Sequence, residues 1–453
     1  MTKKNSRREF LRHSGQVGVG AAAGVMLWDR GARATSPNDR IVLGFIGLGG
    51  RGTYLALGFA ERDDTEIAYF ADCNERTLPS RLKTFARSGR PAPRTVTDLR
   101  RILDDKSVDA VVIATPDHWH ALATVWACQA GKHVYVEKPM SHSPWEGRQM
   151  VAAARKYNRV VQGGFQNRSA AYNRHAKKFL EEGRLGTIHM VRVYNQKLWP
   201  NAKPVPDSPV PEGLNWDMWT GPAPLTPYNV NYHRKWNHFW RFSGGDIIND
   251  AVHQMDLARW LIGRDYPNTV YSVGGRWAQD GVFETPDTQV AVFEYDKLLL
   301  VFELTSYSPY MLKTDPVVRN SDMFPYWPQN ATRIEIYGTK GLMVIGRHGG
   351  GWQVFDRTKN RKPVVMAQEY GRFPDPEHKE NFIQSIRNHQ RPSADIEKSH
   401  RSTLLCQFAN ISYRLGGQKL VVDPKTESFV GNDAANALLK RKYRHPWVVP
   451  DTV

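Results

Sequence analysis

Cysteine is scarce in this chain: 453 residues carry three, Cys73, Cys128 and Cys406. They are odd in number and far apart, which excludes a disulfide framework and any cysteine-based metal motif. Long apolar runs are missing as well. The run Val17 to Leu27 is 11 residues, too short for a bilayer, and no later stretch reads as a membrane span. There is no internal repeat and no low-complexity tract. Acidic residues are outnumbered, 45 against 62 Lys and Arg, giving a formal charge of +17. Seven of the basic residues lie within the first 34, and without that segment the surplus falls to about +12. The remaining basic residues are interspersed with acidic ones, the pattern of a solvated surface rather than a nucleic-acid footprint. No nucleic-acid partner is therefore expected, while an anionic sugar or an acidic surface stays open. What remains is ordinary globular composition, 41% hydrophobic and 24% charged, at a length that suggests two or three domains.

The N-terminus reads as a leader. Ser6-Arg7-Arg8-Glu9-Phe10-Leu11-Arg12 matches the twin-arginine export pattern S/T-R-R-x-F-L-K except for its last residue. The short apolar run follows, and Ala32-Arg33-Ala34 offers an A-x-A cleavage site. Residues 1–34 are expected to be a signal peptide read by the twin-arginine translocase, leaving a periplasmic protein without a membrane span.

The next stretch carries a phosphate-binding turn. An apolar strand, Arg40 to Ile46, runs into Gly47-Leu48-Gly49-Gly50-Arg51-Gly52, a G-x-G-x-x-G at a strand-to-helix junction. Gly47 permits the turn, Gly49 lets the backbone approach a pyrophosphate, and Gly52 allows close helix–strand packing. The helix N-terminus then offers oriented N–H groups to the anion. A second strand, Glu66 to Phe70, leads to Asp72, 20 residues beyond Gly52, where an acid can receive a ribose 2′-hydroxyl. An acid repels a 2′-phosphate, so NAD is favoured, and Arg51 and Arg76 keep NADP open. A helix over 98–104, a strand over 108–114 and a helix ending at Gly131 follow. Between the last two lies Thr115-Pro116-Asp117-His118-Trp119-His120, where Asp117 can cap the helix. His118 and His120 are two apart and point in different directions on a helix, a poor metal pair. Val134-Tyr135-Val136 is a short buried strand whose carboxyl end carries Glu137-Lys138-Pro139. A lysine at that edge of an open parallel sheet faces the ligand crevice and can exchange a proton with a substrate hydroxyl. Lys-Pro after a strand is also an ordinary solvated turn. Ser143-Pro144-Trp145-Glu146 then reads as a capping box opening a helix to about Tyr157, and a strand over 160–165 completes a doubly wound α/β unit.

Together, the glycine turn, Asp72, Ala-Thr-Pro-Asp-His-Trp-His and Glu-Lys-Pro resemble the Gfo/Idh/MocA family of NAD(P)-dependent sugar oxidoreductases, and the twin-arginine leader resembles that of its secreted branch. The resemblance implies Lys138 as catalytic acid/base. It also implies cofactor contacts from Gly47, Leu48, Gly49, Gly50, Arg51, Gly52, Asp72, Thr115, Pro116, His120, Glu137 and Lys138. The family's T-P-N-x-x-H stands here with Asp117 in place of Asn.

Beyond residue 166 the pattern changes. Alternating stretches over 187–197, 269–279, 288–295, 298–306 and 333–337 predict a largely antiparallel sheet, open or solvated on one face. An aromatic, Pro-rich insertion from Trp199 to Trp240 separates the first two, and loops of that length are usually functional. Its tryptophans suit stacking on a pyranose ring or anchoring the loop. Ser243 to Asp256 opens a helix ending near Gly263, with Asn249 and His253 four apart and sharing one face. This resembles the family signature G-G-x-x-x-D-x-x-x-H, with Asn249 where many members carry Asp, and implies His253 as a second catalytic group. Gln166, Asn249, Asp250 and His253 are the expected substrate residues. No metal site is expected. Two amphipathic helices, over 377–388 and 399–415, precede the strand 420–423.

The expected architecture is thus an α/β protein: a nucleotide-binding Rossmann domain over 35–166 and a C-terminal α+β domain over 167–453 carrying a large, mostly antiparallel open sheet. The expected function is NAD-dependent oxidation of a sugar or glycoside hydroxyl, by a protein that forms homo-oligomers. A redox-neutral glycosidase, lyase or epimerase working through a keto-sugar uses the same residues, and a cofactor-bound sensor without turnover is the third reading.

Overall fold

The computed structural model describes residues 39–199, 201–359 and 362–453, so the leader lies outside the described residues. Arg40–Val453 forms one compact unit. Its first sheet has six parallel strands: β1 (Ile41–Ile46), β2 (Thr65–Ala71), β3 (Arg94–Val96), β4 (Ala110–Ile113), β5 (His133–Val136) and β6 (Val161–Gly163), in the order β3-β2-β1-β4-β5-β6. All four residues of β4 are buried, as a central strand covered on both faces requires. The order reverses between β1 and β4, and this switch point opens a crevice at the carboxyl ends of the strands. Gly47, Asp72, Thr115 and Glu137 all lie at that edge, one or two residues past the ends of β1, β2, β4 and β5.

The second sheet has ten strands: β7 (Ile188–Gln196), β8 (Thr269–Gly275), β9 (Thr288–Tyr295), β10 (Leu298–Thr305), β11 (Arg333–Gly338), β12 (Gly341–Gly346), β13 (Trp352–Lys359), β14 (Lys362–Glu369), β15 (Leu420–Asp423) and β16 (Ser428–Phe429). Their order is β14-β13-β12-β11-β7-β10-β9-β8-β15-β16, antiparallel throughout except for β7 beside β10. Strands β12 to β14 extend the sheet past the alternation read from the sequence. The turn between β12 and β13 holds Gly349, Gly350 and Gly351, all at positive φ, and this glycine run interrupts the period-2 signal.

The two sheets fall on either side of residue 166, yet the chain crosses back. The helix Asp375–Arg387 buries Phe382, Ile383 and Ile386 in the core formed by Phe45, Phe59 and Tyr135 of the first sheet's outer layer. The Phe59 and Phe382 rings meet edge-on at 6.3 Å. The capping signal at Ser143 opens the helix Pro144–Lys156 as expected, with the Glu146 carboxylate accepting from the Ser143 N–H at 3.1 Å. The insertion Trp199 to Trp240 is not an open loop. It folds around its own small core of Leu214, Trp216, Trp219, Tyr228, Phe239 and Phe242, with the Trp216 and Trp219 rings stacked at 4.6 Å. Among the described residues no helix is long and apolar enough to cross a membrane.

Candidate active site

The turn after β1 has the geometry its glycines suggest. Gly47 sits at φ +85°, and a Cβ there meets the Ala114 and Thr115 backbone at 2.9 Å. A Cβ on Gly52 falls 2.0 Å from the Gly47 carbonyl oxygen, so this glycine is a packing requirement. Gly49 and Gly50 are different: a Cβ on either meets nothing within 4 Å, because both face an open cleft. That cleft, about 370 Å³, is also lined by Arg51, Asp72, Asn74, Arg81, Thr115 and Pro116. Three lining side chains hold buried polar atoms without a hydrogen-bond partner among the described residues: Asn74 Oδ1, Arg81 Nε and Thr115 Oγ1. Unpaired buried polar groups are costly, and a polar ligand in the cleft would satisfy them. Asp72 accepts from the backbone N–H of Leu48 at 2.9 Å and of Asn74 at 3.0 Å, and burial raises its pKa against those bonds. A dinucleotide therefore fits: glycine backbone and helix N-terminus for the pyrophosphate, Asp72 for a ribose.

Several expected cofactor residues act from behind the cleft. Leu48 is fully buried and contributes only its N–H, to Asp72. Arg51 Nε donates to Glu137 at 2.7 Å and its Nη2 to Asp375 at 3.1 Å, while Arg76 pairs with Glu212 at 2.7 Å. Arg51 is thus held by two buried carboxylates, whereas the Arg76 pair lies in solvent. His120 is not part of the cleft lining. It is 1% exposed, and its ring nitrogens lie 2.6 Å from the Pro139 carbonyl and 2.9 Å from that of Thr115, tying the ends of β4 and β5 together. Gln166 is likewise buried. Its amide oxygen accepts from Arg51 at 2.6 Å and from the Tyr135 hydroxyl, and its nitrogen donates to the Gly164 carbonyl, so it braces the site instead of lining it.

The Asp117-His118-Trp119 segment receives the insertion. His118 Nε2 meets the Trp219 carbonyl at 2.9 Å, and Trp119 Nε1 donates to the Met218 carbonyl at 2.9 Å. Burial pushes the His118 pKa down to about 3, so the ring stays neutral. Docked this way, Met218, Trp219, His233 and Trp236 form a wall of the dinucleotide cleft. Trp219 and Trp236 of the insertion therefore line the cofactor side, a role its sequence pattern did not assign. Its signal was available in the Asp-His-Trp-His run, which has more aromatic and donor character than a helix cap needs.

Lys138 lies just past the end of β5, at the carboxyl edge of the first sheet. Its Nζ donates to the backbone carbonyl of Asn249 and sits 3.4 Å from the Asn249 side-chain oxygen. That carbonyl is offered by a break in the chain. Instead of one helix from 243 to 263, residues Asp246–Asn249 and Val252–Ile262 form two, parted at Asp250 and Ala251. Asn249 and His253 thus stand on two successive helices, and both lie near Lys138. At the break, the Asp250 carboxylate reaches Lys197, Arg347 at 2.7 Å and Lys313 at 3.7 Å.

Electrostatics differ sharply across this pocket. Burial lowers the Lys138 pKa below the ordinary lysine value, opposed by Asp117, Glu137 and Asp250. Burial raises Asp117 to about 7, opposed by Lys138 and by a hydrogen bond from the Ser243 hydroxyl. Asp250 is buried too, yet Arg347, Lys197 and Lys313 hold it well below the usual carboxylate range. His253 is pushed well below its ordinary value by burial, then by Arg347 and Lys138, so it is a neutral imidazole packed edge-on to Phe165 at 5.8 Å. Lys197, Lys313 and Arg347 were not singled out in the sequence. They lie on or beside strands of the second sheet, and only the fold brings them to Asp250. No cluster of three or more His, Cys, Asp or Glu placed to hold a metal occurs among the described residues.

Comparison with known proteins agrees with this architecture. The oxidoreductase family profile for an NAD-binding Rossmann fold, Gfo/Idh/MocA, matches residues 41–165. The profile for that family's C-terminal alpha/beta domain matches residues 177–413. An oxidoreductase of Bacillus subtilis (strain 168), named YrbE, is 28% identical over 67% of this chain and 72% of its own length. A myo-inositol 2-dehydrogenase of Thermotoga maritima is 22% identical over 80% of this chain and 93% of its own length. A levoglucosan dehydrogenase, solved in complex with NADH and levoglucosan, superposes with a TM-score of 0.62 at 20% identity, covering 84% of this chain and 99% of that one. With both domains matched in order and the second match alone spanning more than half its length, this chain belongs to the Gfo/Idh/MocA family of NAD-dependent oxidoreductases.

Proposed function

We propose that the protein oxidises a hydroxyl of a sugar or glycoside, with Lys138 as the acid/base. The observation that carries this is the position of Lys138. It lies at the carboxyl end of β5 beside the dinucleotide cleft, its Nζ is pinned by Asn249, and its pKa is depressed by burial. NAD bound on the Gly47 turn supplies the hydride acceptor. Neutral Lys138 takes the hydroxyl proton, and the Asn249 carbonyl keeps the amine aimed as its protonation changes. His253, held neutral, can accept or donate a hydrogen bond to the same hydroxyl and so orient it. Trp219 and Trp236 exclude water from the nucleotide side. Inositol and levoglucosan dehydrogenases among the relatives support a polyol or sugar as the substrate class.

The twin-arginine pattern in the leader supports export and a periplasmic location. The aromatic wall over the cleft suits a cofactor that travels with the protein and is retained through turnover. The redox-neutral reading uses the same residues and differs only in whether the hydride returns. We also infer a homo-oligomer that pairs through the outer face of the second sheet. There Tyr271, Val273, Val290 and Leu299, each between 37% and 42% exposed, form an apolar patch.

Absorbance at the reduced nicotinamide band and mass spectrometry of the purified protein, before and after a panel of sugars and glycosides, test the proposal. Accumulating NADH supports a dehydrogenase. A transient signal with released aglycone supports the redox-neutral cycle. Protein that carries no NAD, binds none when it is supplied, and reacts with nothing overturns both.

A further inference from the structure

Near Lys138, on which both Asp250 and Arg347 act electrostatically, a cluster of side chains carries an unbalanced charge. The Asp250 carboxylate is shared by Lys197, Arg347 and Lys313. The second carboxyl in reach, Asp246, lies 3.8 Å from Lys197 and is bonded by the Ser306 hydroxyl at 3.3 Å. Burial raises its pKa, opposed by Lys197, towards the neutral acid. Three cations, Lys197, Lys313 and Arg347, thus face two carboxyl groups, Asp250 and Asp246. His348 and His253 also face the cluster, but both are held neutral by burial and by Arg347. The Trp199 ring offers both lysines a π face, at 4.5 Å from Lys197 Nζ and 5.8 Å from Lys313 Nζ. That partial compensation does not remove a surplus that is costly where it is buried. The side chains of Lys197 and Arg347 are only 6% and 7% exposed, whereas that of Lys313 is 43% exposed and marks the open side.

The cluster lies close to the reacting position. Asn249, which pins Lys138, and Asp250, which gathers the cations, are successive residues with Cα atoms about 3.8 Å apart. One sugar ring held at Lys138 therefore brings a substituent to the cations. We propose that the substrate is an anionic sugar whose acid group is received by Lys313, Lys197 and Arg347. This rests on the sugar-oxidoreductase reading and narrows it. A carboxylate, a phosphate and a sulfate ester share the chemistry required, namely a compact anion with several acceptor oxygens.

Titration calorimetry on NAD-loaded protein tests it, with matched sets of glucose, glucuronate, glucose 6-phosphate and glucose 6-sulfate, and the same set built on galactose. At least one acid sugar is expected to bind about tenfold or more tighter than its neutral parent at low salt, and the preference should weaken as salt rises. In Lys313→Gln, whose side chain is half in solvent, the preference should fall to about threefold or less. The tightest arm identifies the acid group. A panel in which no acid sugar exceeds its parent, or a preference unchanged in Lys313→Gln, overturns the proposal. NADH absorbance in the same samples separates the two levels. Neutral sugars reducing NAD without an acid preference leave the dehydrogenase standing and remove this inference. An acid preference in binding with no NADH from any sugar does the reverse.

Discussion

Lys138 holds its proton less tightly than a free lysine because burial penalises the ammonium more than Asp117, Glu137 and Asp250 stabilise it. Two expectations belong to this residue. Replacing it with Met should slow hydride transfer by roughly 10²–10⁴-fold, the range of a lost acid/base, while NAD content stays the same by mass spectrometry. In the oxidation direction the neutral amine is the working form, so the rate should climb with pH through a pKa below the ordinary lysine value. Asp117, raised to about 7, is ionised above that pH and then favours the ammonium. Asp117→Asn removes this support, so the rising limb of the pH–rate profile should move to lower pH. An unmoved limb would show that the two groups are not coupled. At this scale the sequence was informative where a motif is local. Gly47 and Asp72 directly follow strands and line the cleft, and Lys138 follows β5 at the same edge of the sheet. Arg347, Lys197 and Lys313 were not legible, because isolated cations just past strand ends or in a long loop look like solvated surface until the fold brings three of them to one carboxylate.

Two elements shape the cofactor side, the glycine turn and the aromatic insertion. Gly52→Ala places a Cβ 2.0 Å from the Gly47 oxygen and should destabilise the fold by about 1–3 kcal/mol, read as a lower melting temperature. Gly49→Ala meets nothing and should leave melting of the cofactor-free protein within about 0.5 kcal/mol, yet it should weaken NAD binding, because its Cβ points into the cleft. The insertion wall yields a kinetic expectation. Trp219→Ala, or Trp236→Ala if the stacked Trp216–Trp219 pair proves essential for folding, should speed NAD release during dialysis by tenfold or more. Equal release rates would mean that the wall does not retain the cofactor. The helix over 243–263 shows why local pattern falls short. Its apolar spacing is continuous, but the helix parts at Asp250 and Ala251, where Asp250 meets Arg347 and Lys197 and the Asn249 carbonyl receives Lys138.

At the scale of the whole molecule, the helix Asp375–Arg387 joins two halves that the sequence separates at residue 166. Phe382 is fully buried among Phe59 and Tyr135, 323 and 247 residues away in the chain. Phe382→Ala should cost about 3–5 kcal/mol, and calorimetry should show one shifted transition, not a separate loss of the nucleotide-binding half. The apolar outer face of β8, β9 and β10 should bring copies together, so Val290→Arg is expected to lower the mass measured by light scattering without lowering the melting temperature of the protomer. Fold class was readable at this scale because period-2 and period-3.6 patterns are long and independent. The return of a distant helix to the first core was not, since nothing local in 375–387 distinguishes which sheet its apolar stripe will meet.

The central claim is that Lys138 exchanges a proton with a sugar hydroxyl while hydride passes to NAD held on the Gly47 turn. Single-turnover absorbance of the NAD-loaded protein mixed with substrate, across pH, for the native chain and Lys138→Met, measures this directly. The account expects a fast NADH signal in the native chain that rises with pH and a slow, pH-independent one in Lys138→Met. Equal rates and equal pH dependence in the two proteins would contradict it.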